Sequence, residues 1–385
     1  MEHKRESNLE LLRILMILSI IGHHFVVNSG LPQLFSFDNI TFNMVFLQVF
    51  GMWGKTAINV FTLITGYFMV KSDLTLKKFL KLYLPIKFWS FLFTFIFAIT
   101  GYTIFSFKDI WKIIFSMIYE ADVYYAGTLI VMMLLIPFMN VLARALSKRQ
   151  YQLMLAVLLI YFTFLSTFMM RDTFDFTGWL CTVYLIGGYI RLYPLKVDNL
   201  KCGVLCTTIS TALMVLSIIT VDFVGAKLGF TSAYHMVNDS NKLLAVTTSI
   251  SIFILFKNIR LKYNYIINTV ASATFGVLLI HANSNSMRKL LWQDLFHNAD
   301  HYTDSMLPLY SSMVVIVVYV VCVVLDLLRI RFVETPFFNW LDKTEIYDKV
   351  TQRLTGKDPK IGGGGIIIDF LSKRRVGFHY LLSSL

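Results

Sequence analysis

Charge is what this sequence has least of. Only 15% of its 385 residues are Asp, Glu, Lys or Arg, where a soluble globular domain carries about a quarter, and 56% are hydrophobic. That shortage excludes most water-soluble enzymes. Acid is scarcer than base, with 23 Asp and Glu against 35 Lys and Arg. A formal charge of +12 would raise the question of nucleic acid in a soluble chain, but in one this apolar it reports membrane orientation, and no nucleic-acid partner is expected. Cysteine is nearly absent too. Cys181, Cys202, Cys206 and Cys322 lie in or beside apolar segments and lack the paired short spacing of a zinc or redox site, so neither a disulfide framework nor a metal centre is expected. No solenoid repeat is present, and no extramembrane stretch is long enough to fold alone. The apolar run that opens the chain is interrupted by Arg13 and has no small-residue cleavage site after it, which makes it a retained span rather than a signal peptide.

What the sequence has is long hydrophobic runs. A hydrocarbon core about 30 Å thick needs roughly 20 apolar residues of helix. Scanning for that length gives about ten spans, near 9 to 27, 44 to 70, 84 to 105, 124 to 143, 151 to 170, 177 to 193, 201 to 221, 243 to 256, 266 to 283 and 306 to 329. The expected fold is therefore all-α, a polytopic membrane protein. A transmembrane domain would occupy residues 1–340, and residues 341–385 would form a cytoplasmic tail, lying on the membrane surface or disordered.

Basic residues in short loops stay on the cytoplasmic side, so the ten-span count makes a second statement that the loops can check. With the N-terminus inside, the inner flank and loops hold Lys4, Arg5, Lys71, Lys77, Lys78, Lys81, Lys87, Arg144, Lys148, Arg149, Arg191, Lys196, Lys201, Lys257, Arg260 and Lys262. The outer loops hold only Lys108, Lys112, Arg171, Lys227, Lys242, Arg288 and Lys289. An even number of spans then puts both termini in the cytoplasm, where the basic tail also belongs.

Ionisable side chains inside a span cost several kcal/mol, which makes each a functional candidate. Arg13, His23 and His24 occupy the first span and Lys55 the second. Arg13 and His24 are eleven residues apart, close to three full turns, so they share a helix face about 16 Å apart along the axis, with His23 a quarter turn away. Such a face offers a fixed cation near the inner surface and a titratable imidazole far across. A snorkelling arginine and an interfacial histidine would give the same pattern.

The run Asn8-Leu9-Glu10-Leu11-Leu12-Arg13, followed after ten intervening residues by His24, resembles the opening of the acyltransferase 3 family of integral-membrane acyltransferases, whose signature is that arginine-to-histidine spacing. Further segments match in order. Asn59 to Phe68 is similar to the second-span motif ending in Ser-Gly-Tyr, with Thr65 in place of serine. Tyr184-Leu185-Ile186-Gly187-Gly188-Tyr189-Ile190-Arg191 resembles the sixth span, and Thr274-Phe275-Gly276-Val277-Leu278-Leu279-Ile280-His281 a late span, with Leu278 where tyrosine is usual. Arg331-Phe332-Val333-Glu334-Thr335-Pro336-Phe337 is similar to the closing element, with Thr335 where arginine is common. Tyr124-Tyr125-Ala126-Gly127 stands where relatives often have Trp-Phe, which makes Tyr125 a candidate for the acceptor pocket. The resemblance runs over residues 8 to 340.

That resemblance implies an O-acyltransferase of the bacterial cell membrane, moving an acetyl or other acyl group from cytoplasmic acyl-CoA to a hydroxyl of a surface or lipid-linked glycan. His24 would be the general base, an imidazole pKa of about 6.5 suiting the task. Arg13 would hold the coenzyme's phosphate or its amide-rich arm, and Lys71 the phosphates, positive-inside topology accounting for Lys71 equally well. Lys55, Asn59 or Thr65 would stabilise the oxyanion, helix-packing hydrogen bonds being their other reading. His281, at the outer end of the ninth span, is expected to be exposed and to serve either as a second acid or base or as an interfacial histidine. Some relatives carry an additional esterase-like domain outside the membrane; without one, transfer is expected to be direct or to use a separate partner. A polysaccharide or small-molecule transporter would also have many spans with intramembrane Arg and His, but no repeat of those polar features occurs in the second half.

Overall fold

The computed structural model describes residues 6–344 apart from 105, 109–110, 112–123, 226 and 228–231. The expectations for the tail beyond 344 lie outside the described residues. Every regular element among those described is helical. In chain order these are α1 (Ser7–Val27), α2 (Phe42–Gly51), α3 (Gly54–Met69), α4 (Leu76–Ile99), α5 (Tyr124–Ala145) and α6 (Lys148–Leu159), which runs on through a π turn, Ile160–Phe164. Then follow α7 (Phe176–Leu192), α8 (Leu200–Thr220), which ends in a π turn, Val221–Gly225, α9 (Leu243–Asn258), α10 (Tyr265–Ser272), α11 (Thr274–His281), α12 (Asn285–Lys289), α13 (Leu307–Arg329) and α14 (Thr335–Leu341).

Local chemistry sets many of the starts. Thr41, Ser147, Asp175, Asn199, Asn264 and Ser284 each accept a backbone N–H from the first turn that follows, and Ser147 with Gln150 closes a reciprocal capping box. These are the donors a helix start leaves without partners.

Seven helical stretches are long and apolar enough to cross a bilayer, or eight if the bent pair Tyr265–His281 and Asn285–Leu295, which meet at 93°, is one span. Of the expected ten, the sixth and eighth fall short of a full crossing: α7 has 17 residues and α9 has 16, roughly 24–26 Å at 1.5 Å per residue. Most of α7 is buried, so it meets helices rather than lipid and is freed from the length that lipid would demand. The expected second span is two helices, interrupted at Met52 and Trp53 between Gly51 and Gly54.

The described residues form two compact units, one of those up to Asp73 with those from Leu84 to Leu327, the other of Leu74–Tyr83 with those from Leu328 to 344. In the larger unit α3 lies against α1, α7 and α9, and α1 also meets α2, α9, α10 and α11. Glycines allow the tightest of these approaches. A Cβ on Gly66 would strike the Tyr184 carbonyl oxygen and one on Gly187 the Leu63 carbonyl oxygen, so α3 and α7 touch backbone to backbone, as small residues permit between membrane helices. Apolar side chains face outward, among them Leu205, Ile209, Leu213 and Leu216 on α8 and Ile316, Val320 and Val324 on α13. Several polar ones are inside and bonded. Asn140 donates to the Met69 and Ser72 carbonyls and accepts from the Tyr184 hydroxyl at 2.6 Å, while Arg144 reaches the Val70 carbonyl through two nitrogens at 3.0 and 2.8 Å. Together they satisfy the last carbonyls of α3, which lipid could not.

In the smaller unit Lys77 pairs with Asp342 at 2.7 Å, and both Lys77 and Lys81 lie 5.7 Å from the centre of the Phe338 ring. Glu334 pairs with Arg329 at 2.7 Å.

Candidate functional site

The last turn of α1 and the last residue of α11 bring two imidazoles together. His24 Nδ1 lies 3.0 Å from His281 Nε2, with the ring centres 5.1 Å apart. His281 is fully buried, which corrects the exposed, interfacial position expected from its place at the end of an apolar run. The bend after α11 is the reason: the chain turns back at Ser284 instead of leaving the bundle.

Hydrogen-bond bookkeeping fixes which nitrogen holds which proton. His281 Nδ1 lies 2.6 Å from the Val277 carbonyl oxygen. A carbonyl only accepts, so Nδ1 carries the hydrogen, and the Nε2 of an uncharged His281 is then an acceptor. His24 Nδ1 must therefore donate to it, which leaves the His24 Nε2 lone pair unshared. The relay runs one way, from His24 through His281 to a helix carbonyl. His24 is partly exposed while its partner is sealed, so the free nitrogen is the one a substrate can meet.

His23 is held apart. Its Nδ1 donates to the Gly51 carbonyl at 2.6 Å, and its ring lies so close to Gly54 that a Cβ there would overlap it. The α2–α3 break thus supplies both the acceptor and the space. Lys55 and Arg288 are the cations whose fields reach His24. Lys55 lies 3.5 Å from Asp239, and Arg288 donates to Asn285 at 2.7 Å and to the Ala282 carbonyl at 3.3 Å. Nothing in the sequence singled out Arg288; it follows the 93° bend between Tyr265–His281 and Asn285–Leu295.

The remaining candidates are spread along α3 and α1. Asn59 is fully buried, donates to the Ser240 carbonyl at 2.6 Å and accepts from the Trp179 indole at 3.0 Å. Thr65 donates to the Phe61 carbonyl of its own helix at 2.9 Å, and Tyr125 hydrogen-bonds Thr62 and lies 5.8 Å, ring to ring, from Phe176. At the other end of α1, Arg13 pairs with Glu10 at 3.4 Å. Asn8 in that first turn donates to the Phe256 and Lys257 carbonyls, so the end of α9 lies beside the start of α1. Lys257 is 5.6 Å from the Tyr67 ring, and exposed Lys71 follows Tyr67 by four residues. Arg13 and Lys71 therefore stand at the same end of the bundle, opposite the histidine pair.

Asn59→Leu is expected to cost stability rather than chemistry. It strands the buried Trp179 N–H and the Ser240 carbonyl, each worth about 1–3 kcal/mol when left unpaired, so the thermal midpoint of the purified protein should fall while turnover per folded molecule is kept. A variant as stable as wild type but inactive would place the amide in the reaction instead.

Among the described residues no group of three or more His, Cys, Asp or Glu could hold a metal, and all four cysteines are free thiols. Long apolar helices packed into one bundle, with two imidazoles in contact at one end and Arg13 toward the other end of α1, define a helical membrane protein. Residues 6–327 match the acyltransferase domain family, and the chain belongs to it: it is a membrane acyltransferase of the acyltransferase 3 family. No curated protein and no solved structure matches the chain.

Proposed function

We propose that this acyltransferase takes an acyl group, acetyl in the simplest case, from acyl-CoA on the cytoplasmic side of a bacterial cell membrane and esterifies a hydroxyl of a surface or lipid-linked glycan. The observation that carries the reading is the His24–His281 pair with its relay to the Val277 carbonyl. His24 Nε2 accepts the proton of the acceptor hydroxyl as that oxygen attacks the thioester carbonyl carbon. The tetrahedral intermediate collapses, the carbon–sulfur bond breaks, and the imidazolium returns its proton to the departing thiolate. Ester and free CoA thiol result, with no net proton change. His281 steadies the transient imidazolium by accepting from its Nδ1–H, the service a buried acceptor performs in other acid–base dyads.

The oxyanion needs positive charge nearby. Lys55 and Arg288 carry that charge, whereas Asn59 and Thr65 are neutral and spend their donors on the Ser240 and Phe61 carbonyls. Ten crossings with both ends inside would place Arg13 and Lys71 at the cytoplasmic mouth, where a coenzyme's phosphates stay while its long pantetheine arm reaches along α1. Arg13→Ala is expected to raise KM for acyl-CoA about 10- to 100-fold, the worth of one charge-assisted hydrogen bond of roughly 1.5–3 kcal/mol, with a smaller loss in kcat. An unchanged KM would remove Arg13 from the donor site. The reading as a whole is tested by mass spectrometry of surface glycans from cells with and without the gene. A lost acyl mass increment, restored by the wild-type gene and not by His24→Ala, is the expected result; unchanged glycans would overturn the glycan acceptor.

A further inference from the structure

A second constellation, away from the imidazoles, holds charge that the fold does not neutralise. Arg191, in the last turn of α7, lies with its guanidinium carbon 4.6 Å from the centre of the Tyr67 ring and donates through Nη1 to the Tyr67 hydroxyl at 2.8 Å. Lys257, in the last turn of α9, is 5.6 Å from the centre of the same ring. Two cations therefore converge on one aromatic ring. Asp198 answers only one of them: it pairs with Lys257 and uses its other oxygen to accept from Asn258 at 2.8 Å. No carboxylate among the described residues pairs with Arg191, and its Nε is buried with no hydrogen-bond partner among them.

A buried donor on a permanent cation is costly to leave unmet. Guanidinium geometry suits an oxyanion with two or more oxygens, phosphate above all; the ring contact holds the guanidinium in place, and its Nε is the donor left without a partner among the described residues. The position is telling as well. Tyr67 lies one turn before Lys71, and Lys257 offers its backbone carbonyl to Asn8 at the start of α1. The cluster therefore sits at the end of the bundle where Arg13 begins the path to His24.

We infer that Arg191, with Tyr67 and Lys257 supporting it, binds a phosphate group of the acyl-CoA donor. The inference rests on the acyl-CoA reading above and extends it to three residues on three further helices. Arg13, nearly two turns into α1, is then left to the pantetheine arm, and the phosphates are gripped by α3, α7 and α9.

The test uses the full chain in nanodiscs of phosphatidylcholine alone, with CoA and phosphate-free pantetheine as probes in calorimetric titrations. Arg191→Gln is expected to weaken CoA binding about 10- to 50-fold and to leave pantetheine binding unchanged. Arg191→Lys, which keeps the charge but loses the fork, should fall between. A measurement on unaltered protein runs alongside: CoA affinity should drop between low and high salt while pantetheine affinity does not. CoA bound equally by wild type and Arg191→Gln would overturn the phosphate site and leave the acyltransferase reading standing. Equal loss of CoA and pantetheine would reduce Arg191 to a structural role. If Arg191→Gln leaves CoA binding intact but, in a parallel set of nanodiscs containing phosphatidylglycerol, lowers retention of that lipid, the group bound is a lipid headgroup, and the coenzyme assignment falls. A wild-type protein that binds no CoA at all overturns both.

Discussion

Acyl transfer by the His24→Ala protein is expected to fall about 10²- to 10⁴-fold, the usual contribution of a positioned general base, with the protein still inserted and folded. The folding half of that expectation follows from the site. Among the described residues His24 makes its side-chain hydrogen bond to His281, and it is partly exposed, so alanine removes one such bond and leaves the packed face of α1, Leu12, Ile17, Ile21 and Phe25, untouched. The chemical half follows from the tautomers. With Val277 fixing the proton on His281 Nδ1 and His281 fixing the proton on His24 Nδ1, only His24 Nε2 has a lone pair for substrate. His281→Gln, whose amide oxygen can still accept from His24, should cost less than His24→Ala. The comparison is read as initial rates of acyl transfer from acyl-CoA by protein of matched thermal midpoint. A His24→Ala protein working at the wild-type rate would sink the assignment, and His23, with its own free Nε2, would replace it. If His281→Gln cost more than His24→Ala, the buried ring would be the base and the exposed one its gate.

The helical class, the membrane setting and the shared face of Arg13 and His24 were legible because they depend on composition and on the 3.6-residue period, both properties of a local stretch. The partner of His24 was not. His281 is 257 residues away, and its apolar neighbours read as an ordinary span ending at an interface; the reversal at Ser284 that buries it is a tertiary event with no hydropathy signature. The α2–α3 break escaped for a related reason: Gly51, Met52, Trp53 and Gly54 are apolar enough to pass as one span, although the kink is what gives His23 its acceptor. Asn59 and Thr65 looked like oxyanion donors because a sequence displays donors and hides acceptors. Once Ser240, Trp179 and Phe61 are in place, those donors and acceptors are used. Arg191 was counted as one more inner-loop cation, and only the shared Tyr67 ring distinguishes it from the rest.

Gly66→Val is expected to do more damage than any catalytic substitution, because it removes the fold that holds both sites. The Cβ of valine would occupy the space of the Tyr184 carbonyl oxygen, with the Tyr184 carbonyl carbon and Cα close behind it. Those are backbone atoms of a helix and cannot rotate away, so α3 and α7 must separate along their whole contact. Overpacking a well-filled interior costs about 1–3 kcal/mol where side chains can adjust, and more is expected where none can. Gly187 faces the Leu63 carbonyl from the other side and should be as intolerant. Gly188 is the internal control. Its nearest neighbours are side chains, Val70 at 3.1 Å and the Tyr151 hydroxyl at 3.2 Å, which can shift by the few tenths of an ångström that alanine needs. The expected order of damage is therefore Gly66→Val and Gly187→Val first, Gly66→Ala next and Gly188→Ala last, read as the yield of monodisperse protein in detergent and as thermal midpoint. Separation would also pull Tyr67 on α3 from Arg191 on α7, so any Gly66→Ala protein that survives should lose CoA affinity before it loses pantetheine affinity. A Gly66→Val protein with wild-type yield and midpoint would mean that the helices do not meet where these two glycines put them.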